Sequence, residues 1–419
     1  MTHPFKNLGL SSSLVGVVEK LGFKQPTEVQ QQAIPHVLAK KNVLAGAQTG
    51  TGKTAAFGLP IIQRFLDNPM NREMNSRVVR TLVLVPTREL AQQVFDNIES
   101  YAIDTDIKVV TAYGGTSMNV QTTNLKGGAD ILVATPGRLI DHLFCKNIVL
   151  SQTEVLVLDE ADRMLDMGFM PDIQRILNRM NDERQTLFFS ATFDDKIKAI
   201  AHKMMADPVE VQVSPSNSTA DSVKQIVYPV DKKRKSELLA FLIGSKNWQQ
   251  VLVFVKTKQG TDALVKELKL DGIKAASIHG DKSQGARQKA LDDFKSGKVR
   301  ALIATDVAAR GLDIQQLEQV INYDLPYKAE DYVHRIGRTG RAGATGLAVS
   351  LMSRDEDYLL KAVEELLDTH LPQEWLEGFE PSLNEEVVNA HTPKKRGRSS
   401  EKQKMKAKMK IHAGRGKRK

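Results

Sequence analysis

The sequence predicts an α/β protein of two tandem domains, each a parallel sheet flanked by helices, followed by a disordered basic C-terminal tail. Short apolar runs alternate with longer amphipathic stretches along most of the chain, which is typical of βα units around a parallel sheet. The length of 419 residues and the hydrophobic content of 41% are enough for two separate cores. The excess of basic over acidic residues is concentrated at the C-terminus, where few apolar residues occur.

Short apolar runs are candidate strands, and a polar segment divides them into two sets. The first set comprises residues 43–45, 81–85, 108–112, 130–134, 155–158 and 186–190. Residues 214–222 lack periodicity and contain a proline, which suits an interdomain linker. The second set comprises residues 226–230, 251–255, 275–278, 300–305, 319–322 and 346–351. We therefore expect a first domain at residues 1–212, a linker at 213–222, a second domain at 223–370, a short extension at 371–392 and the tail at 393–419.

The tail carries all of the excess positive charge. Its 27 residues include thirteen Lys or Arg and one acidic residue, Glu401, whereas the rest of the chain has 46 basic and 49 acidic residues. Such a segment cannot bury enough apolar surface to offset its ordering entropy, which predicts disorder. We expect the tail to bind phosphate backbones through salt-dependent, sequence-independent contacts, with a purely solubilising end as the alternative.

The single cysteine, Cys145, excludes an internal disulfide and a cysteine-based metal cluster, which favours a reducing compartment. The N-terminus has no charged segment followed by a long apolar stretch, and no run in the chain approaches about 18 apolar residues. We therefore expect a cytoplasmic protein without a membrane segment.

A phosphate-binding loop is predicted at residues 47–54, Ala-Gln-Thr-Gly-Thr-Gly-Lys-Thr. It lies between a candidate strand and a stretch that can begin a helix, which is the setting the motif requires. The glycines let backbone N–H groups approach phosphates, Lys53 supplies a positive charge, and the Thr54 hydroxyl can bind Mg²⁺. The candidate nucleotide-binding residues of the loop are Ala47, Gln48, Thr49, Gly50, Thr51, Gly52, Lys53 and Thr54.

Two carboxylates follow the apolar run at residues 155–158. Asp159 stands where a buried parallel strand would end and can hold the metal ion through water, and Glu160 can activate a nucleophilic water. The candidate metal-binding residues are therefore Thr54, Asp159 and Glu160. Together with the loop, they predict one site for a nucleoside triphosphate.

Arginines recur at three-residue intervals in residues 334–341, His-Arg-Ile-Gly-Arg-Thr-Gly-Arg. The intervening glycines would stop a long helix, so Arg338 and Arg341 could point from a tight helix end toward one anionic group. Guanidinium groups suit the charge that spreads over phosphoryl oxygens during transfer. From spacing alone, a solvated basic turn is an equal alternative. Because the second half contains no second phosphate loop, we expect it to complete the site of the first.

Together with further motifs, these residues resemble those of the DEAD-box RNA helicases over about residues 5–370. The family is named after the sequence Asp-Glu-Ala-Asp, which stands here at residues 159–162. Residues 22–30 resemble the adenine-binding Q motif of that family. The resemblance implies two RecA-like domains and ATP as the nucleotide, with Gln30 on the base edge and Phe5 stacked on the ring. The remaining nucleotide contacts that we carry over are Lys24, Thr27, Gly311 and Asp313.

The resemblance also implies an RNA groove that crosses both domains. Contacts to phosphates and sugars would make binding largely independent of sequence, and Gly115 would permit close approach of the strand. The candidate RNA-binding residues are Pro86, Thr87, Arg88, Gly115, Thr135, Arg138, Arg287 and Thr305. The candidate coupling residues are Asp162, Ser190 and Thr192. In the family, the segment that contains Ser190 and Thr192 bonds to Asp162 and links hydrolysis to domain closure. His334 would orient the acidic cluster.

The implied activity is RNA-dependent ATP hydrolysis by a monomeric two-domain clamp that separates short RNA duplexes or remodels RNA–protein complexes. A DNA helicase and an ATP-gated RNA clamp without turnover are the alternatives. The compact core with a basic tail resembles the RhlE-type branch of bacterial helicases. That branch would imply work in ribosome assembly or messenger RNA turnover, with ribosomal precursors or RNA-decay proteins as partners.

Overall fold

The computed structural model describes residues 3–47, 51–69, 78–193, 195–213, 223–309, 314, 317–340 and 346–382, except the side chain of Lys196. The predicted tail and nearly all of the predicted linker lie outside these residues. No helix within the described ranges is long and apolar enough to cross a bilayer.

The first domain is built on a seven-stranded sheet in the order β3-β4-β2-β5-β6-β1-β7, with every neighbouring pair parallel. The strands are β1 (Val43–Gly46), β2 (Thr81–Leu84), β3 (Val109–Ala112), β4 (Ile131–Ala134), β5 (Val155–Leu158), β6 (Gln185–Ser190) and β7 (Val209–Gln212). The central strands are buried on both faces, as their continuous apolar runs predict.

Helices cover both faces of this sheet and enclose two apolar clusters. A 3-10 helix occupies Pro4–Leu8, and the α-helices are α1 (Ser12–Lys20), α2 (Glu28–Leu38), α3 (Lys53–Asp67), α4 (Arg88–Tyr101), α5 (Met118–Lys126), α6 (Pro136–Phe144), α7 (Ala161–Asp166), α8 (Met170–Leu177) and α9 (Asp195–Met204). Each strand-to-helix connection places its loop at the carboxyl edge of the sheet, where ligands bind in open α/β sheets.

The second domain repeats the plan with a six-stranded parallel sheet in the order β10-β11-β9-β12-β13-β8. Its strands are β8 (Val223–Pro229), β9 (Val251–Phe254), β10 (Ala275–Ile278), β11 (Ala301–Ala304), β12 (Gln319–Asn322) and β13 (Gly346–Met352). Its α-helices are α10 (Lys235–Ser245), α11 (Lys258–Leu270), α12 (Gln284–Lys295), α13 (Asp306–Ala309), α14 (Ala329–Ile336) and α15 (Asp357–Leu367), with 3-10 helices at Lys232–Arg234 and Arg354–Glu356.

The predicted extension after residue 370 packs onto this domain as far as residue 382. The amide of Val227 on β8 donates to the Pro372 carbonyl at 2.9 Å, and the Glu374 amide donates back to the Val227 carbonyl at 2.9 Å. Phe379 is buried against Phe241, with ring centroids 5.4 Å apart. The segment therefore covers an edge strand, so the boundary that we predicted at residue 370 falls inside packed structure.

Candidate functional site

The order of the first sheet sorts the predicted site residues into two adjacent groups. The phosphate-loop and carboxylate candidates follow β1 and β5, and the coupling candidates Ser190 and Thr192 lie at the end of β6, between these two strands in the sheet. The RNA candidates follow β2, β3 and β4, which are also neighbours. The carboxyl edge of one sheet therefore presents two contiguous surfaces, one for each predicted ligand.

Lys53 and Asp159 meet at the first of these surfaces. Gly52 adopts the left-handed conformation with φ of 87° and precedes Lys53, the first residue of α3. The Lys53 Nζ lies 3.8 Å from Asp159 Oδ1, and both side chains are buried. Among the described residues this Nζ has no hydrogen-bond partner. A buried ammonium with unused donors is suited to a bound phosphate.

The acidic pair after β5 is also buried. Burial raises the pKa of Asp159 to about 6, an effect that Lys53 opposes and Glu160 reinforces. Glu160 adopts a left-handed backbone conformation with φ of 53°, which is uncommon outside glycine. Its amide donates to Asp159 Oδ1 at 2.9 Å, and its carboxylate pairs with Arg163 one turn further on.

A cavity of about 620 Å³ adjoins these residues and is within the usual size range of small-molecule sites. Lys53, Thr54, Asp159 and Glu160 form one side of it. The predicted Q-motif residues Lys24, Thr27 and Gln30 form another side, together with the rings of Phe23 and Tyr101. The structure thus brings the Q motif and the phosphate loop to one pocket.

Gln30 links these two segments. Its Oε1 accepts from the Thr27 amide at 2.9 Å in a capping box of α2, and its Nε2 donates to the Gly52 carbonyl at 3.1 Å. A Cβ at Gly52 would lie 2.3 Å from Gln30 Nε2, so the glycine is required for this approach. The predicted contact of Gln30 with the adenine edge would have to share or replace these bonds.

Phe5 is not brought to the cavity. It is fully buried, and its ring stacks against Phe23 with centroids 6.3 Å apart. Because Phe23 lines the cavity and Phe5 lies behind it, Phe23 is the better placed ring for a base. Stacking by Phe5 stays a prediction that this arrangement does not support.

Arg88 and Gly115, two predicted RNA contacts, pack against each other. A Cβ at Gly115, which has φ of +81°, would lie 1.7 Å from Arg88 Nη1. We predicted that Gly115 admits an RNA strand, but in this structure the glycine makes room for the guanidinium. Thr87 begins α4, since its Oγ1 accepts from the Leu90 amide at 3.3 Å.

The arginines of the arginine-rich segment in the second domain make different contacts. Helix α14 ends at Ile336 and is capped by Gly337, as the glycine spacing predicted. Arg335 is buried and makes a two-pronged contact with Asp306, at 2.6 and 2.7 Å. Arg338 and His334 line a small cavity between the domains. Arg335 therefore stabilises the fold, and Arg338 faces the first domain.

The first domain contributes Arg163, the partner of Glu160, to that same cavity. Among the described residues, Arg287 pairs with Glu89 at 2.9 Å and Lys328 pairs with Asp166 at 2.6 Å across the domains. Arg163, Lys328 and Glu89 were not among the predicted site residues. Glu89 and Arg163 stand within or beside recognised motifs, but only the folded chain shows their partners.

One carboxylate oxygen of Asp162 does not make the predicted coupling contact. The Asp162 Oδ1 is buried without a hydrogen-bond partner in the part of the chain that the structure describes. Ser190 is buried at the end of β6, and its Oγ accepts from the Thr192 amide at 3.3 Å.

Among the remaining predicted site residues, Thr305 follows β11, and Pro86 and Thr135 follow β2 and β4. The predicted site residues outside the described ranges are Gln48, Thr49, Gly50, Gly311, Asp313 and Arg341.

Comparison with protein families matches residues 27–200 to the DEAD/DEAH box helicase model and residues 233–343 to the helicase conserved C-terminal domain. The chain is 42% identical over 365 residues to the DEAD-box ATP-dependent RNA helicase CshA of Bacillus subtilis, which covers 87% of this chain and 72% of that protein. It is 42% identical over 361 residues to CshA of Listeria monocytogenes, with 86% and 68% covered.

Solved structures resemble the chain to different degrees. S. cerevisiae Dbp5 bound to RNA and ADP BeF3 has a TM-score of 0.80 at 31% identity, covering 89% of this chain and 96% of that one. Mss116p bound to ssRNA and AMP-PNP has 0.79 at 28% identity, covering 89% and 78%. A DEAD box protein from Methanococcus jannaschii has 0.51 at 39% identity, covering 88% and 99%.

Proposed function

The chain belongs to the DEAD-box ATP-dependent RNA helicases, and we propose that its two domains close on ATP and RNA together. It is an ATP-dependent RNA helicase whose ATP hydrolysis depends on RNA. In our proposal, ATP binds at the ends of β1, β5 and β6, and RNA crosses the ends of β2, β3 and β4. The meeting of Arg163 and Arg338 in one cavity, with Glu160 paired to Arg163, is the observation that carries this proposal.

Lys53 would bind the phosphates of ATP. Its ammonium is buried beside Asp159 and has unused donors among the described residues, and its desolvation is best compensated by an anion. Gln30 and Thr27 connect this loop to the part of the cavity that contains Phe23. We assign the base to that part, against the aromatic ring.

The residues present also fit a magnesium ion. Asp159 is a desolvated carboxylate that lines the same cavity as the hydroxyl-bearing Thr54, and a hard cation prefers such oxygen ligands. No group of three or more His, Cys, Asp or Glu within the described ranges is arranged to hold a metal. Asp159 and Thr54 would therefore share the ion with the phosphates. When bound, the ion would neutralise charge on the phosphoryl oxygens.

Glu160 would act as the general base for the attacking water. Arg163 holds its carboxylate in place and Lys53 and Asp159 lie next to it, so the base stands beside the predicted phosphate position. Arg338, with Arg341 by family resemblance, would stabilise the charge that develops on the transferred phosphoryl group. Because these arginines belong to the second domain, hydrolysis would require closure.

The present domain arrangement supports this view. The TM-score between two proteins falls when similar domains are placed differently relative to each other. This chain has a TM-score of 0.80 to the RNA-bound Dbp5 but only 0.51 to the Methanococcus jannaschii protein, although its sequence is more similar to the latter. Arg287 of α12, itself a predicted RNA-binding residue, pairs with Glu89 of α4 and so joins the domains next to the predicted RNA contact Arg88. The arrangement is therefore suited to simultaneous binding of both ligands.

Replacing Glu160 tests the proposal. Glu160→Gln should keep ATP and RNA binding but reduce RNA-stimulated phosphate release to the background level, because the amide cannot accept the proton from water. Glu183→Gln, at an exposed position, is the matched control and should behave like the parent. Parental turnover by the Glu160→Gln protein would assign the base elsewhere. Equal stimulation by single-stranded DNA and RNA would favour a DNA helicase.

We further propose that the protein works as a cytoplasmic monomer on ribosomal precursors or messenger RNAs. Its single cysteine and a core whose predicted RNA contacts go to the backbone support a reducing compartment and broad RNA binding. Membership in the RhlE-type branch stays a prediction. Crosslinking the protein to RNA in cells and sequencing the attached RNA would test this, and an unselective mixture would contradict a dedicated role in ribosome assembly.

A further inference from the structure

We propose that Gln121 is a positioning residue for RNA binding, which joins the two RNA-backbone segments of the first domain and fixes the Arg138 guanidinium between them. This inference rests on the proposed path of RNA across β2, β3 and β4. Gln121 lies on α5, outside every motif that our sequence analysis identified, and only 6% of it is exposed.

The Gln121 amide uses all four of its hydrogen-bonding positions. Its Nε2 donates to the Tyr113 carbonyl at 2.8 Å and to Thr116 Oγ1 at 2.6 Å. Its Oε1 accepts from Arg138 Nη1 at 3.0 Å and from His142 Nε2 at 3.0 Å. The donor side therefore holds the loop after β3, which contains Gly115, and the acceptor side holds α6, which contains Arg138. A fully satisfied amide is a rigid link between two elements.

Arg138 and the Tyr113 carbonyl determine which way this amide faces, because a guanidinium can only donate and a carbonyl can only accept. With the amide in this orientation, His142 Nε2 donates to Gln121 Oε1, and His142 Nδ1 accepts from Asn147 Nδ2 at 3.1 Å. Asn147 Nδ2 donates its other hydrogen to Thr122 Oγ1 at 3.1 Å. The ring is fully buried, and burial lowers the pKa of His142, which favours the neutral imidazole in this tautomer. A reversed Gln121 amide would place its NH2 group against the Arg138 donor.

The network also fixes the donors of Arg138. Its Nη1 donates to both Gln121 Oε1 and the Thr116 carbonyl, at 3.0 and 3.2 Å, and its Nε lies 3.6 Å from Asp141 Oδ2. The hydrogens of Nη1 are thus used within the protein, and the guanidinium offers its Nη2 edge to a phosphate oxygen. Binding then needs less ordering of a long side chain, which is the usual origin of affinity from pre-organisation.

The test compares Gln121→Met, Arg138→Ala and the double variant in an ATPase assay titrated with a single-stranded RNA of uniform sequence. Methionine keeps the length of the side chain and removes all four bonds. We expect Gln121→Met to raise the RNA concentration for half-maximal stimulation by about tenfold, equivalent to about 1.4 kcal/mol, with kcat at saturating RNA changed by less than about twofold. In the Arg138→Ala background the same change should add less than about threefold.

Two further variants and two checks of folding accompany this test. Gln174→Met, on the exposed face of α8, is the matched control and should leave the RNA titration unaltered. Asn147→Ala removes the far end of the network without touching Gln121, and it should weaken RNA binding by a few-fold. The KM for ATP and the unfolding midpoint of each variant identify loss of folding, which would lower kcat as well.

The outcomes separate this inference from the proposed function. A normal RNA requirement in Gln121→Met, or an effect as large in the Arg138→Ala background as in the parent, would overturn the positioning role alone. A normal RNA requirement in Arg138→Ala would overturn the proposed RNA path, and the role of Gln121 with it.

Discussion

Asp159→Asn measures the charge that the nucleotide site holds in the ligand-free protein. Burial raises the pKa of Asp159 to about 6 from an ordinary value of 3.8, although Lys53 lies 3.8 Å away. Because the folded-state pKa exceeds the unfolded one, this carboxyl favours folding below pH 3.8, and the contribution is lost as the pH rises through about 6. At about 1.4 kcal/mol per pKa unit, the ionised group destabilises the protein at pH 7.5 by about 3 kcal/mol.

The asparagine variant removes that charge at nearly constant volume. In EDTA and without nucleotide, it should raise the free energy of unfolding of the first domain by about 3 kcal/mol at pH 7.5 and by about half as much at pH 5.0. Urea unfolding followed by circular dichroism reports both domains. Both tryptophans, Trp248 and Trp375, lie in the second domain, so their fluorescence is an internal reference that should not move.

Asp172→Asn, which removes a carboxylate paired with Arg175 near the surface of α8, is the matched control and should change stability little. A loss of stability in the Asp159 variant would refute the reasoning. So would an equal gain at pH 5.0 and 7.5, because a gain independent of pH would come from packing and not from charge.

Arg338→Ala should lower kcat by about 10³-fold or more with a smaller effect on nucleotide binding, since arginines of this kind act on the transition state; unchanged phosphate release would remove the second domain from the chemistry. Phe379→Ala should destabilise the second domain by about 3 kcal/mol, because the ring is buried against Phe241, whereas Trp375→Ala, at a position 64% exposed, should change it by less than about 0.5 kcal/mol in urea unfolding. Deletion of residues 393–419 should raise the RNA concentration for half-maximal ATPase, more strongly at low salt, and leave kcat at saturation unchanged; identical salt slopes with and without the tail would contradict this.

Buried parallel strands were the most predictable part of the fold. Short continuous apolar runs between amphipathic stretches are typical of strands that are buried on both faces. Every predicted strand corresponds to an observed one within a few residues. The strand that we missed, β7, is Val-Glu-Val-Gln at the edge of the first sheet, with a partly exposed burial pattern. An edge strand has only one neighbour and is partly exposed, so its sequence alternates between apolar and polar residues. Over four residues, such an alternation is too short to be distinctive.

The local placement of the candidate site residues was predictable where it depends on spacing, and the chemistry that we assign to them stays a prediction. Lys53 and Thr54 must begin a helix after a glycine turn, and Asp159 must end a strand, so adjacent residues reveal them. Contacts between distant segments were not predictable. Nothing local distinguishes Gln121 from a surface glutamine, and the burial of Phe5 behind Phe23 follows from how the 3-10 helix packs.

The two interdomain ion pairs seen within the described residues suggest why RNA controls hydrolysis. Lys328 and Asp166 join α14 to α7, the helices that carry Arg338 and Glu160 toward each other, but both side chains are largely exposed and their pair contributes little. Arg287 and Glu89 join the two elements to which we assign RNA binding, and both are largely buried. Burial lowers the pKa of Arg287 against the opposing effect of Glu89, so the closed pair is desolvated and depends on its surroundings.

RNA would supply those surroundings. A strand that contacts α4 and α12 at once excludes water from the Arg287–Glu89 pair and adds phosphate charge next to a guanidinium whose own partner is a single carboxylate. The nucleotide side has no comparable buried interdomain pair among the described residues, since Glu160 is neutralised by Arg163 within its own domain. Closure would therefore be stabilised mainly from the RNA side, and Arg338 would reach the phosphate only when RNA is held. ATP alone would bind to the first domain without bringing the second domain into the reaction.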